Sequence, residues 1–435
     1  MAVGTEEGIP VGVARVCIIG GGSTYTPELV EGFIDAAADL PVERLTLMDI
    51  DASRLDILGR LARRMVDAAG VGISVDWTTD RAEAVTCADI IVTQIRVGGL
   101  AARIRDERIP IRHGIIGQET TGPGGFAKAL RTVPVMLDLA KDIERLAPSA
   151  RWVNFTNPSG LITEAILTHT EVEAIGLCNS PRGALVSIAG LLDADPTRVR
   201  LDYVGLNHLS WVRGVELDGR DVTDDVIERA IKEEMLPEFA PEYLRALRML
   251  PSYYLDYYVN TDRVLCEQRA ATRTRGEIVL EVERELLALY QDESLVSKPP
   301  QLEQRGGAHY ASAAIALLRA MESDAGDVQI VNTANGGAIP DLPEDAVVEI
   351  PCVVDRTGAR PIPAGPMPPE IRGLVQAVKA YEQLTIRAAV DGDDRVALLA
   401  LTAHPLVPSF DAARRLWHDI RRENAEFLRR FGGTA

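Results

Sequence analysis

The chain has 435 residues, too many for one simple core, so two closely packed domains are expected. Hydrophobic residues make up 46% and charged residues 25%, ordinary globular values, and no run of about 18 apolar residues offers a membrane span. The net charge of −18 argues against nucleic acid as a partner, and it means that an anionic ligand would need a locally basic pocket.

In chain order, Arg15–Gly20 is a short apolar run rich in β-branched residues and reads as a buried parallel strand. A helix is expected from Thr26-Pro27-Glu28, with proline in its first turn. A strand at Leu45–Asp49, a helix over 53–69 and a strand at Ala88–Thr93 follow. Gly117–Gly125 is dense in glycine and reads as a loop, and Phe126–Leu146 as a helix. Arg151–Phe155 and Ala174–Leu177 add two strands. Beyond residue 200, helices are expected at 224–248, 275–291, 307–322, 369–389 and 409–430, with strands at 328–332 and 346–352. The pattern predicts an α/β protein. Residues 1–200 form an N-terminal Rossmann-like, doubly wound parallel sheet that binds NAD, and 201–435 a closely packed C-terminal α+β domain for substrate, metal and oligomerisation. No flexible linker separates the two.

Cysteines 17, 87, 178, 266 and 352 are odd in number and widely spaced, which reads as reduced thiols rather than a disulfide framework. The acidic N-terminus has no apolar signal core, so the expected location is the cytoplasm.

Glycines after the first strand let a backbone approach a pyrophosphate, and the following helix N-terminus favours its charge. Gly20 and Gly22 fit that role, although Tyr25 stands where a third glycine would complete the fingerprint. Asp49, ending the second strand, is placed for adenosine ribose hydroxyls and favours NAD over NADP, with Asp51 a second acid nearby. Cys178 sits at the carboxyl edge of the sheet, where ligands collect. A lone Cys is more often inert core and a lone His a satisfied interior group. Cys178 and His208, however, each close a strand-like segment and are each flanked by Asn. One sulfur and one nitrogen would hold a divalent metal with positions left for substrate oxygens. Pro251–Tyr258 holds four of the ten tyrosines, Tyr253, Tyr254, Tyr257 and Tyr258. A tyrosine works as a base when positive charge lowers its pKa. Arg103, Arg275 and Arg305 are candidates to grip an anion.

Together these segments resemble the family-4 glycoside hydrolases. The motifs are Gly20–Glu28, Gly117-Gln118-Glu119-Thr120 with Gly122–Gly125, Asn154–Pro158, Cys178-Asn179-Ser180-Pro181, Asn207-His208 and Val331-Asn332-Thr333, in the family's order through nearly the whole chain. Enzymes of this kind depart from two-carboxylate glycosidase chemistry. The resemblance implies a tightly bound NAD, its cradle taking in Gly20, Gly22, Ser23, Thr24, Asp49 and Asn154, and a divalent metal, usually Mn²⁺, on Cys178 and His208. It also implies substrate contacts from Arg103, Asn157, Asn179 and Arg275. Glu119 would stand behind a catalytic tyrosine that best matches Tyr254, one residue either way being open because of the Tyr253-Tyr254 doublet. Where α-glycoside members carry Asp after the metal cysteine, this chain has Asn179, as in the 6-phospho-β-glucosidase branch.

The expected reaction is hydrolysis of 6-phospho-β-glucosides by a homodimer or homotetramer. It would proceed by transient oxidation at carbon 3, proton removal from carbon 2 by Tyr254, loss of the aglycone, water addition and re-reduction. The alternatives are an unphosphorylated or α-linked glycoside, a lactate- or malate-type NAD dehydrogenase, and a catalytically silent NAD-binding regulator.

Overall fold

The computed structural model describes residues 14–306, 310–323 and 325–432. Its first six strands are Ala14–Ile19 (β1), Val42–Met48 (β2), Ser74–Thr78 (β3), Ile90–Thr93 (β4), Arg151–Asn154 (β5) and Ala174–Gly176 (β6). They lie parallel in the order β6-β5-β4-β1-β2-β3. That is the doubly wound order, with the strand direction of travel reversing between β1 and β4. Strand β4 is buried along its whole length, as expected of a strand covered by helices on both faces.

The second half opens with an antiparallel hairpin, Val199–Leu206 (β7) and Leu209–Leu217 (β8), to which Arg220–Asp221 (β9) and Leu250–Pro251 (β10) add. It then returns three strands to the first sheet. Asp327–Ala334 (β11) runs antiparallel to β6, and Val347–Asp355 (β12) and Gly358–Pro361 (β13) extend the edge to nine strands. The carboxyl ends of β1, β4, β5 and β6 therefore face elements from the far half of the chain.

Helix boundaries follow local chemistry. Asp51 Oδ1 accepts from Ser53 and Arg54 N–H to start Ala52–Ala69, and Gly70 at φ 68° ends it. The helix expected at 126–146 starts earlier, at Gly122. The glycines there are a packing requirement. A Cβ on Gly124 would lie 2.0 Å from the Gln118 carbonyl oxygen, and one on Gly125 2.4 Å from that of Thr120. The single helix expected at 224–248 is two, Thr223–Lys232 and Pro241–Leu247, interrupted by Glu234 at φ 51° and by Pro237. The helix expected to 430 stops at Glu423, where the Asn424 carboxamide turns inward to Arg131 and the Ile420 carbonyl. Of the helix expected at 307–322, Tyr310–Glu322 is seen, and 307–309 lie outside the described residues. Helix Gly99–Arg112 and the pairing of β8 back onto the strand-like segment before His208 were not anticipated. All five cysteines are free, and among the described residues no helix is long and apolar enough to cross a membrane.

Candidate active site

The turn after β1 is shaped for close backbone approach. Gly20 has φ 93°, and a Cβ there would lie 2.9 Å from the carbonyl carbon of Gln94. A Cβ on Gly22 would meet Asp49 Oδ2 at 2.8 Å, because the Gly22 N–H donates to that oxygen at 3.0 Å. Asp49 thus sits against the cradle. Asp51 does not share its role, since its carboxylate caps the following helix. Ile50, beside Asp49, is 89% exposed, an apolar face left open at the rim. Ser23 Oγ accepts from Tyr25 N–H at 3.2 Å within the turn. Thr24 points inward, its hydroxyl donating to Glu283 Oε1 and its carbonyl accepting from Tyr290. Asn154 is also turned inward. Its Oδ1 accepts from Thr93 Oγ1 and Thr156 N–H while its Nδ2 donates to Thr163 Oγ1, so this side chain braces the 154–159 loop.

Cys178 and His208 meet. Sγ lies 3.6 Å from Nε2, both residues are buried, and His208 occupies the tight β7–β8 turn at φ 64°. The tautomer follows from the neighbours. Thr120 donates its hydroxyl proton to Gln118 Oε1 at 2.9 Å, so its oxygen accepts from His208 Nδ1–H at 2.9 Å. The lone pair of Nε2 then faces the sulfur. Burial, and next the charge of Lys128, push the imidazole down to about 3, so it stays neutral at ordinary pH. Burial, reinforced by the negative charge of Glu349, pushes the Cys178 thiol up to about 12, against hydrogen bonds from Ser180 and Asn207. A neutral imidazole with a free lone pair beside a thiol that gives up its proton to a cation is a donor set fit for a soft-to-borderline divalent metal. Among the described residues no group of three His, Cys, Asp or Glu gathers as a metal site, which leaves the remaining positions to water or substrate.

Glu119 lies between Arg103 Nη1 at 2.9 Å, Lys128 Nζ at 2.9 Å and Arg96. Burial raises its carboxyl, but Arg96, Lys128 and Arg103 outweigh this and hold it well below the usual range. Lys128 is pushed down to about 7, by burial first and then by Arg96. Arg103 is clamped through Nε to Glu107 at 2.8 Å. Helix Arg275–Tyr290 passes close to it, since a Cβ on Gly276 would lie 3.3 Å from Arg103 Cγ. Arg275 begins that helix and donates to the carbonyls of Gln304 and Arg305. Arg305 turns the other way, stacked 4.0 Å over the Tyr25 ring and paired with Glu283. Asn157 has a buried Oδ1 with no hydrogen-bond partner, an acceptor that awaits a donor from outside the chain. Asn179 Oδ1 lies 3.9 Å from Cys178 Sγ.

Of the four tyrosines, Tyr254 stacks on the His208 ring at 3.8 Å and 17°, with Tyr253 stacked behind it at 4.3 Å. Tyr258 points away, toward His404. Burial, then the charges of Tyr253 and Cys178, hold the Tyr254 phenol well above its ordinary value. The structure thus brings Cys178, His208, Tyr254, Glu119 and Arg103 to one place through a shared set of neighbours. Sequence reading missed Arg96, Lys128, the Thr120–Gln118 relay and Glu349. Lys128, in the first turns of a helix opening on glycines, was the one with a usable signal.

Comparison with known proteins agrees. The profile described as Family 4 glycosyl hydrolase matches residues 15–194, and that of the family's C-terminal domain matches 203–407. The chain is 46% identical over 431 residues to a probable 6-phospho-beta-glucosidase of Bacillus subtilis (strain 168), covering 96% of this chain and 98% of the relative. The 6-phospho-beta glucosidase of Thermotoga maritima, solved with NAD and glucose-6-phosphate, superposes with a TM-score of 0.91 at 37% identity, covering 96% of this chain and 99% of that one. Its form with manganese, NAD⁺ and glucose-6-phosphate gives 0.89 at 37% identity, covering 95% and 99%. The chain belongs to the family 4 glycosyl hydrolases.

Proposed function

We propose that this enzyme hydrolyses 6-phospho-β-glucosides with NAD and a divalent metal, manganese for preference. The observation that carries the reading is the Cys178–His208 pair, 3.6 Å apart and stacked against Tyr254, at the edge of a sheet whose first turn is cut for a dinucleotide. Bound there, the nicotinamide would supply reversible oxidation at a hydroxyl-bearing carbon and the cation would supply Lewis acidity.

The chain's own groups then divide the work. Cys178 Sγ and His208 Nε2 hold the cation, with Nδ1–H anchored on Thr120 Oγ1. Tyr254 Oη takes the proton from the carbon beside the oxidised one, once positive charge offsets the burial that raises it. Glu119 stays an anion and fixes Arg103 and Lys128 around the sugar. Arg103 and Arg275 hold the 6-phosphate, and Asn157 Oδ1 accepts from a sugar hydroxyl. Asn179, an amide, cannot protonate a leaving group, which favours β- over α-linked substrates. Gly20, Gly22, Ser23 and Asp49 cradle the dinucleotide, with Ile50 against the adenine. The enzyme is expected to work as a homodimer or homotetramer, a reading supported by the exposed apolar side chains of Val328, Leu399 and Phe410 in its second half.

The test is turnover, with NAD and Mn²⁺, of p-nitrophenyl β-glucoside 6-phosphate beside its unphosphorylated and α-linked counterparts. The reading predicts that only the first is cleaved, without net NADH. Equal cleavage without the phosphate removes the phosphate assignment, and stoichiometric NADH with a 2-hydroxy acid would instead indicate a lactate- or malate-type dehydrogenase.

A further inference from the structure

Glu349 is the unusual carboxylate of this molecule. It is buried on β12, opposite Asn332 of β11, which in turn lies opposite Gly176, two residues before Cys178. A Cβ on Gly176 would come within 2.8 Å of Asn332 Cβ, so that glycine lets β11 close up beneath the Cys178 segment. Glu349 accepts three hydrogen bonds, from Asn332 Nδ2 at 2.9 Å, Asn207 Nδ2 at 3.0 Å and the Tyr203 hydroxyl at 3.1 Å. Every other buried carboxylate among the described residues has a cationic partner: Asp106 has Arg131, Glu107 has Arg103, Glu164 and Glu382 share Lys379, Asp256 has Arg263, and Glu283 has Arg305. Among those residues Glu349 has none. Burial raises this carboxyl to about 7, against the hydrogen bonds from Asn207, Asn332 and Tyr203, so a cation from outside the chain would favour its ionised form.

Asn207 points to where that cation sits. Its Nδ2 donates to Glu349 Oε1, its hydrogen bond to Cys178 favours the thiolate, and its Oδ1 faces the Gly160 N–H at 3.5 Å. Both partners of Nδ2 are acceptors and that of Oδ1 is a donor, which fixes the amide's orientation. We propose that Glu349 is the outer carboxylate of the metal site: it holds Asn207 so that an N–H points at the Cys178 thiolate, and its charge joins the thiolate's to neutralise a divalent cation. This rests on the reading of Cys178 and His208 as the metal's ligands. Glu107 and Glu119, the other carboxylates gathered at the site, are already engaged by Arg96, Arg103 and Lys128 and offer no unpaired negative charge.

Glu349→Gln removes the charge with little loss of hydrogen bonding. Oε1 keeps both asparagines, and the Tyr203 hydroxyl can rotate to accept from the new amide while donating to Ser210 Oγ, 2.6 Å away. The Mn²⁺ dissociation constant, read by electron paramagnetic resonance of free Mn²⁺ with NAD present and no substrate, should rise about 10- to 100-fold, with NAD affinity and melting temperature nearly unchanged. Glu349→Asp keeps the charge on a side chain one methylene shorter, so its Mn²⁺ affinity should recover most of the loss seen in Glu349→Gln. Wild-type affinity in Glu349→Gln, or a Glu349→Asp variant no tighter than Glu349→Gln, overturns the proposal. Cys178→Ser separates the two readings. If it too binds Mn²⁺ like the wild type, the ligand assignment has failed; if it loses Mn²⁺ while Glu349→Gln does not, only the role of Glu349 has.

Discussion

Replacing Thr120 by Val tests how the imidazole is prepared for a metal. Thr120 Oγ1 accepts from His208 Nδ1–H at 2.9 Å in a buried setting. With Val, the metal-bound state must keep its proton on Nδ1, because Nε2 is occupied, and that N–H is left unpaired. The metal-free state bears less of the penalty, since the proton can move to Nε2 and face Cys178 Sγ, 3.6 Å away, leaving only an acceptor at Nδ1. The cost therefore falls mainly on binding. An unsatisfied buried donor costs roughly 1–3 kcal/mol, equivalent to roughly 5- to 150-fold weaker metal binding. Equilibrium dialysis against Mn²⁺ would measure it, with Thr120→Ser, which restores the oxygen, as the control. NAD affinity should not move. Wild-type Mn²⁺ affinity in the folded Val variant, or an equal loss in the Ser variant, would refute the tautomer argument.

Two further outcomes are expected. Gly20→Ala places a Cβ 2.9 Å from the Gln94 backbone at φ 93°, so NAD affinity measured by fluorescence titration should fall at least about tenfold with Mn²⁺ binding preserved; unchanged NAD affinity would remove this turn from the cofactor site. His404, buried against Tyr258 and Tyr381, is held down to about 3, so below its unfolded value near 6.5 the unfolded chain takes up a proton that the folded one refuses. Stability is thus lost as pH falls from 6.5 toward 3. By pH 5 this one group should contribute roughly 2 kcal/mol of that loss. Urea denaturation of His404→Gln should show a correspondingly shallower decline between pH 7.5 and 5, and parallel curves would contradict it.

The parallel half was readable because each strand is a short β-branched run bounded by glycine or acid, as in Arg15–Gly20 and Ala88–Thr93. The same local signals missed the way Gly117–Gly125 works. Glycine there serves close packing of a helix onto the preceding loop, an effect of distant backbone that composition does not carry. The proline-interrupted stretch after Lys232 also misled, its amphipathic period continuing across a break. At the site, Cys178 and His208 stood out by residue type and position, and Tyr254 is singled out from four tyrosines only by the family resemblance, with one residue either way open. Their supporting groups did not stand out. Glu349 lies far along the chain and reaches the site only because β11 and β12 join the first sheet edge to edge, and Lys128 and Arg96 are ordinary cations until folding gathers them on Glu119. Asn154 and Thr24 show the converse: side chains at motif positions also brace the scaffold, Asn154 its own loop and Thr24 the helix that carries Glu283.

The most direct test of the account is an anomalous difference map from crystals grown with Mn²⁺ and NAD. It should show a single strong peak within bonding distance of both Cys178 Sγ and His208 Nε2, facing the nicotinamide. A fully occupied peak elsewhere, with those two atoms still in mutual contact and unmetallated, would contradict it.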